Sequence, residues 1–173
     1  MEGFLAREEY EELVRMAGLH AAKVVRYLCG RLYSADEEEK WRAVRALEHV
    51  AGDRRALGDE KAVELLRRFF WSMNDESGAV PHGIPEAIGA ILAVRPELQK
   101  EFLPNLCSMI THEDMLQTGP IERGVVWALG RVGEPVAQCS PEAVRSIAAA
   151  AEAHDDSQTR GIARWALGRI GGG

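Results

Sequence analysis

The chain has 173 residues, of which 46% are hydrophobic and 28% charged, and its formal net charge is −6. This length and apolar content suffice for one ordinary domain or a short array of helical repeats without metal or disulfide support. The acidic excess disfavours general binding to nucleic acid or to anionic membranes, because both require positive charge. No stretch approaches the roughly 18 apolar residues of a membrane span.

The three cysteines, Cys29, Cys107 and Cys139, are far apart and form no Cys-x-x-Cys pair. We therefore predict that all three are reduced structural residues, and we expect neither a metal site nor a cofactor. The N-terminal segment lacks the basic flank and apolar run of a signal peptide, which favours a cytoplasmic protein.

Apolar residues recur at helical spacing in the first half of the chain. The first two predicted helices cover residues 5–17, ended by Gly18, and residues 19–33. Asp36 and the acidic run that follows predict the start of a third helix, which ends at Gly52. A fourth helix is predicted over residues 59–73.

The second half shows the same periodicity, and no segment shows the alternation of a strand. Pro85 is expected in the first turn of a helix that reaches Val94. Further helices are predicted over residues 97–111, 121–132, 141–153 and 158–170. Pro104 predicts either a kink in the 97–111 helix or a true start near residue 103.

One phrase occurs twice, as Trp-Ala-Leu-Gly-Arg-Val-Gly from Trp127 and as Trp-Ala-Leu-Gly-Arg-Ile-Gly from Trp165. Shorter counterparts occur earlier, at Ala46-Leu47 and Ala87-Ile88. Regular spacing of about 40 residues is typical of stacked helical repeats. The glycine that follows in three of the copies lowers helix propensity by roughly 1 kcal/mol relative to alanine, which indicates close contact between helices there.

The phrases at 123–130 and 160–168 resemble HEAT repeats of the short type named after phycobilisome (PBS) lyases. The segments 70–78 and 85–89 also look like a small uncharacterised HEAT-repeat family of anaerobic prokaryotes. The resemblance implies an all-α fold, a short HEAT-like α-solenoid (superhelix) of antiparallel helix pairs. We expect one repeat domain over residues 1–173. Its predicted parts are divergent N-terminal helices at 1–35, helix pairs at 36–74, 83–111 and 121–153, and a terminal helix at 158–170.

Among HEAT-repeat enzymes, deoxyhypusine hydroxylase binds di-iron through His-Glu pairs placed ahead of the Ala-Leu-Gly register. None of the register-matched pairs here is His-Glu; they are Trp41-Arg42, His82-Gly83, Arg123-Gly124 and Gly161-Ile162. The His-Glu pair at His112 lies at a different register. The sequence therefore gives no support for that activity, and we assign no catalytic or metal-binding residue.

The loop between the fourth and fifth helices is the most unusual stretch, and Asn74, Asp75, Glu76, Ser77 and His82 lie in it. Together with Glu86 on the next helix, these residues predict a polar recognition site. The same residue types also favour an ordinary turn between two helices.

Other candidate binding residues lie on the helices. Arg67, Arg68 and Trp71 are expected on the inner face of the solenoid, and Arg131 and Arg169 repeat in register as a basic ridge or as helix caps. Trp127 and Trp165 form either an exposed aromatic ladder or a packing contact between repeats.

We therefore expect a scaffold or an assembly or maturation factor that binds another protein through its solenoid surface. The alternative is a lyase-like enzyme or enzyme subunit that handles a cofactor or tetrapyrrole, with Asp75, Glu76 and His82 as acid–base groups. Binding to nucleic acid is not expected, because the few lysines do not repeat in register. The edge of a solenoid also permits a homo-oligomer.

Overall fold

The structure, a computed structural model, describes residues 1–74, 82–112 and 119–171. The regular structure of these residues is helical throughout and includes no strand, which confirms the predicted all-α class. The helices are α1 (Glu2–Ala6), α2 (Tyr10–Arg31), α3 (Glu37–Gly52), α4 (Asp59–Met73), α5 (Ile84–Val94), α6 (Pro96–Thr111), α7 (Gly119–Val132), α8 (Pro135–Cys139), α9 (Pro141–Ala153) and α10 (Ser157–Ile170).

Side-chain caps fix the starts of three helices. The Asp36 carboxylate accepts hydrogen bonds from the backbone N–H groups of Glu38 and Glu39 at the start of α3. Ser140 and Asp156 cap α9 and α10 in the same way. These caps satisfy N–H groups that have no partner within the helix. The helix start predicted at Asp36 is confirmed.

Two local predictions were wrong. The first predicted helix is interrupted between α1 and α2, where Glu8 adopts a left-handed backbone with φ 57°. The following break lies at His20, with φ −141° and ψ 53°, and not at Gly18. A short helix that the sequence did not predict, α8, begins at Pro135, where the missing N–H of the proline costs no hydrogen bond.

Helix α6 continues through Pro104, so its predicted alternative start near residue 103 is wrong. Phe102, Leu103 and Leu106 are buried around this point. Their burial holds both sides of the proline in one helix, despite the lost backbone hydrogen bond.

The chain divides into two compact units, residues 1–95 and 96–173. In the first unit α3 packs against α2 and α5, and in the second α10 packs against α7 and α9. The four register-matched alanines lie within these packed helices, and all of them are 0% exposed: Ala46, Ala87, Ala128 and Ala166. A small side chain at this register lets the backbone of the neighbouring helix come close.

The contact between α7 and α10 joins the two copies of the repeated phrase. Trp127 and Trp165 stack with ring centroids 6.1 Å apart and planes at 14°. A Cβ on Gly130 would lie 2.5 Å from Cζ3 of Trp165 and 2.8 Å from Cα of Ala166. The close contact predicted for the repeated glycine is therefore confirmed at Gly130. The same prediction is wrong for Gly168, where a Cβ would meet no described atom within 4 Å.

A buried arginine organises the first unit. Arg95, which follows α5, is 1% exposed. Its Nε donates to the backbone oxygen of Ala51 at 2.6 Å, and its Nη2 donates to that of Leu57. Its Nη1 donates to Oδ1 of Asp59 at 2.8 Å, and this hydrogen bond holds the pKa of Asp59 below its usual value. One guanidinium thus ties together the end of α3, the following loop and the start of α4.

Within the described ranges, no helix is both long and apolar enough to cross a bilayer.

Replacement of Arg95 by methionine should destabilise the protein by about 2–4 kcal/mol, because two buried backbone oxygens lose charge-assisted donors. Urea unfolding followed by circular dichroism measures this loss. The matched control is Arg54→Met. Arg54 contacts the same Asp59 at 2.6 Å, but its side chain is 57% exposed, so the control should cost less than about 1 kcal/mol. Equal losses in both variants would show that burial of Arg95 has no special role.

The two glycines of the repeated phrase should respond in opposite directions to alanine. Gly130→Ala should destabilise by about 1–3 kcal/mol, because its Cβ overlaps a ring atom and a backbone atom of α10. Gly168→Ala should stabilise by up to about 1 kcal/mol, since the helix gains propensity without a clash. The difference in unfolding free energy between the two variants is the measured quantity. Similar values would contradict the close approach at Gly130.

Candidate functional site

Helix α4 has one buried side and one exposed side. Leu65, Leu66 and Phe69 are buried, and they hold the helix against the core of the first unit. Arg67 and Arg68 are exposed. The sequence thus forms an amphipathic helix. Its exposed side carries three cations and three carboxylates: Lys61, Arg67 and Arg68 with Asp59, Glu60 and Glu64.

Trp71 is the most exposed large hydrophobic residue among those described, with 79% of its surface accessible. It lies one helical turn beyond Arg67 and Arg68. A tryptophan in this position exposes apolar area to water and gains nothing from the core, which is typical of residues that anchor protein interfaces. The three predicted helical site residues of α4 therefore lie together on its surface.

A groove, which the sequence did not reveal, lies between α2 and α4. Its first part has a volume of about 220 Å³ and is lined on the α2 side by Ala21, Ala22, Val25 and Arg26. The α4 side contributes Lys61, Glu64, Leu65 and Arg68, and the preceding loop contributes Leu57. We name this part and its extension the α2–α4 groove.

The extension has a volume of about 430 Å³ and shares Ala21 and Lys61 with the first part. It pairs residues 17–21 of α2 with residues 54–61, whereas the first part pairs residues 21–26 with residues 57–68. The residue numbers rise together on the two sides, so α2 and α4 run in the same direction along the groove.

The groove combines an apolar floor with sides on which cations outnumber carboxylates: Arg26, Arg54, Arg55, Lys61 and Arg68 against Asp59, Glu60 and Glu64. Val25, Leu57 and Leu65 are 9%, 2% and 4% exposed and form the floor. Arg26 and Lys61 are exposed, and neither makes an ion pair with another described residue. This local positive charge contrasts with the net charge of −6 of the whole chain.

Arg68 approaches the thiol of Cys29 across the groove. Its Nη2 lies 3.9 Å from Sγ of Cys29, which is half-buried on α2. Burial raises the pKa of this thiol, and the nearby guanidinium opposes the rise. The contact fixes one end of the Arg68 side chain without neutralising its charge.

The polar loop predicted as a recognition site is only partly covered by the structure. Asp75, Glu76 and Ser77 lie outside the described residues. Asn74 is exposed, and its Nδ2 donates to the backbone oxygen of Phe70 at 3.2 Å, so it serves as the C-cap of α4. His82 is exposed before α5.

Glu86 does not join the exposed polar residues. It is 6% exposed, and its Oε1 lies 3.8 Å from Nζ of Lys40, which is itself buried and also contacts Glu37. The prediction of Glu86 as a surface recognition residue is therefore corrected, because its charge is matched inside the packing of α3 and α5.

The register-matched arginines differ in exposure. Arg131 is half-buried, whereas Arg169 is exposed near the end of α10. The tryptophans ahead of them stack, and Trp165 remains 40% exposed. The predicted packing contact between repeats is therefore confirmed for this pair, and part of Trp165 remains accessible to solvent.

A polar network connects α7 with the loop before α10. Nε2 of His154 lies 3.1 Å from Oε2 of Glu122, and Nη1 of Arg123 donates to Oδ2 of Asp156 at 3.1 Å. The hydroxyl and backbone N–H of Thr159 also donate to Asp156, and these bonds, with that from Arg123, keep the pKa of Asp156 well below its usual value. Asp156 is therefore a helix cap, ionised in the folded protein.

Across the described part of the chain, no three histidine, cysteine, aspartate or glutamate side chains are grouped so that they could hold a metal ion. We take as the candidate site the α2–α4 groove together with the exposed side of α4.

No protein-family model matches the sequence. The chain is similar to an uncharacterized protein of Archaeoglobus fulgidus, with 29% identity over 141 residues. The aligned part covers 81% of this chain and 70% of the archaeal protein.

The cysteines should differ sharply in reactivity. Burial, and then the neighbouring thiol of Cys139, raise the pKa of Cys107 to about 12, whereas Cys139 is exposed. At pH 8 iodoacetamide should therefore modify Cys139 much faster than Cys107, because the thiolate is the reacting form. Mass spectrometry of tryptic peptides gives both rates. The control is labelling in urea, where the two cysteines should react at similar rates. Equal rates in the folded protein would contradict the burial of Cys107.

Proposed function

We propose that this protein is a HEAT-like helical-repeat scaffold that binds a partner protein, and that the exposed side of α4 belongs to its binding surface. The observation that carries the proposal is the 79% exposure of Trp71. Arg67 and Arg68 accompany it on α4, and tryptophan and arginine are the residue types most enriched at interface hot spots.

The packing of the repeated phrases supports the solenoid part of the proposal. The phrases of α7 and α10 lie side by side, and the equivalent alanines of α3 and α5 are also fully buried. Helix pairs that repeat in this way expose the second helix of each pair on one face. By this reasoning α4 is the second helix of the pair that α3 begins.

The resemblance to PBS-lyase-type HEAT repeats fits an assembly or maturation factor, because such solenoids present extended surfaces to partner proteins. The alternative of an enzyme acting on a cofactor or tetrapyrrole depends on Asp75 and Glu76, which the structure does not describe. No observation on the described residues favours that alternative.

Replacement of Trp71 by alanine should weaken partner binding about 30-fold, as expected for loss of about 2 kcal/mol at an aromatic hot spot. The measurement is affinity capture from a lysate of the native host, followed by titration of the identified partner. Tyr33→Ala is the matched control, because Tyr33 is also an exposed aromatic residue, at 51%. Both variants should keep the helical circular dichroism of the parent.

A second variant separates the helix from the loop. The triple change Asp75→Ala, Glu76→Ala, His82→Ala should leave most of the binding intact if α4 carries it. Loss of the partner in the triple variant but not in Trp71→Ala would move the site to the loop and would contradict the assignment to α4.

A further inference from the structure

We propose that the α2–α4 groove binds an acidic amphipathic helix of the partner protein. The apolar side of that helix would lie on Val25, Leu57 and Leu65, with its carboxylates against Arg26, Lys61 and Arg68. This inference rests on the proposed function, since it names the partner segment that the scaffold recognises.

The size of the groove suits a short helix. Its α4 side extends from Gly58 to Arg68, a length of about 15 Å at 1.5 Å per residue. Ala17, Gly18, Ala21 and Ala22 line the α2 side, and their small side chains leave room for a helix to approach. The length of the groove therefore matches an occupant of about three helical turns.

The charge of the groove selects an acidic occupant. Its first part is lined by three cations and one carboxylate, Glu64. The extension adds Arg54 and Arg55 with Asp59 and Glu60, so that cations still outnumber carboxylates in the whole groove. Arg26 and Lys61 have no ion-pair partner among the described residues, so they remain available for a ligand. The acidic remainder of the chain repels an acidic segment elsewhere, which directs it to this groove.

The apolar floor distinguishes a protein helix from nucleic acid. Phosphates require cations along their whole path, and the buried leucines of the floor offer them none. Apolar side chains of a helix at positions i, i+3, i+4 and i+7 would instead lose water on contact with this floor.

Exposed hydrophobic residues extend the groove in both directions. Leu19, at 74% exposure, lines the extension on the α2 side. Trp71 lies one turn beyond Arg68 on α4, past the opposite end. A helix seated in the groove would have apolar contacts available at both of its ends.

The test uses the full chain and two synthetic fluorescent peptides of 16 residues. One carries leucines at i, i+3, i+4 and i+7 with glutamates on the flanks, and the other carries lysines in place of the glutamates. Fluorescence anisotropy should show that the acidic peptide binds at least about tenfold more tightly than the basic peptide, with affinity falling as salt rises.

Variants then locate the binding. The double variant Lys61→Glu, Arg68→Glu should bind the acidic peptide about tenfold or more weakly. Lys23→Glu with Lys100→Glu is the matched control, because it changes the net charge equally at exposed positions outside the groove. Ala22→Arg should also weaken binding, although it adds positive charge, because its side chain fills the groove.

Several outcomes would overturn the proposal. These are equal binding of the acidic peptide to the groove and control variants, tighter binding of the basic peptide, no binding at millimolar peptide, or complete displacement by a single-stranded oligonucleotide.

The groove assignment and the scaffold function can fail separately. If the acidic peptide does not bind while Trp71→Ala still abolishes partner capture, the groove assignment is wrong and the scaffold function stands. If the peptide binds the groove and Trp71→Ala has no effect on partner capture, the assignment of the partner surface to the outer side of α4 fails instead.

Discussion

The guanidinium of Arg95 sets the position of the helix that carries the candidate site. It donates to backbone oxygens at Ala51 and Leu57 and to the carboxylate of Asp59, the first residue of α4. Loops are seldom buried, because their backbone groups need partners. Here a single planar cation supplies those partners, so the turn from α3 into α4 closes over a charged group. The direction of α4, and with it one wall of the α2–α4 groove, depends on this interaction.

The second constraint is the close approach of helices at the repeated register. Alanine at this register lets neighbouring backbones approach closely. The approach is closest at Gly130, where even a methyl group would overlap Trp165. Gly168 occupies the same position in the last repeat but meets no described neighbour. An identical phrase therefore has different structural consequences, because a glycine matters for packing only where a second helix covers it.

The groove shows how local charge can oppose net charge. The chain is acidic overall, and its acids are concentrated at helix starts such as Asp36 and Glu37, where they favour the positive end of the helix dipole. Those carboxylates serve helix formation. The cations Arg26, Lys61 and Arg68 come from two helices far apart in sequence, and tertiary packing brings them to one groove. Net charge excluded broad classes of ligand but did not reveal this local surface.

Local sequence signals determined most helix boundaries and the all-α class. The Asp36 and Ser140 caps, Pro85 in a first turn and the apolar periodicity act within a few residues, so they can be read without the fold. The sequence also placed Arg67, Arg68 and Trp71 on one helix, and the structure shows them exposed there. Only the tertiary structure decided that Glu86 is buried with Lys40, that Arg95 is the buried organiser of the first unit, and that α2 faces α4 across a groove. Each of these depends on which helices become neighbours, and that choice arises from the packing of surfaces distant in sequence, which no single segment encodes.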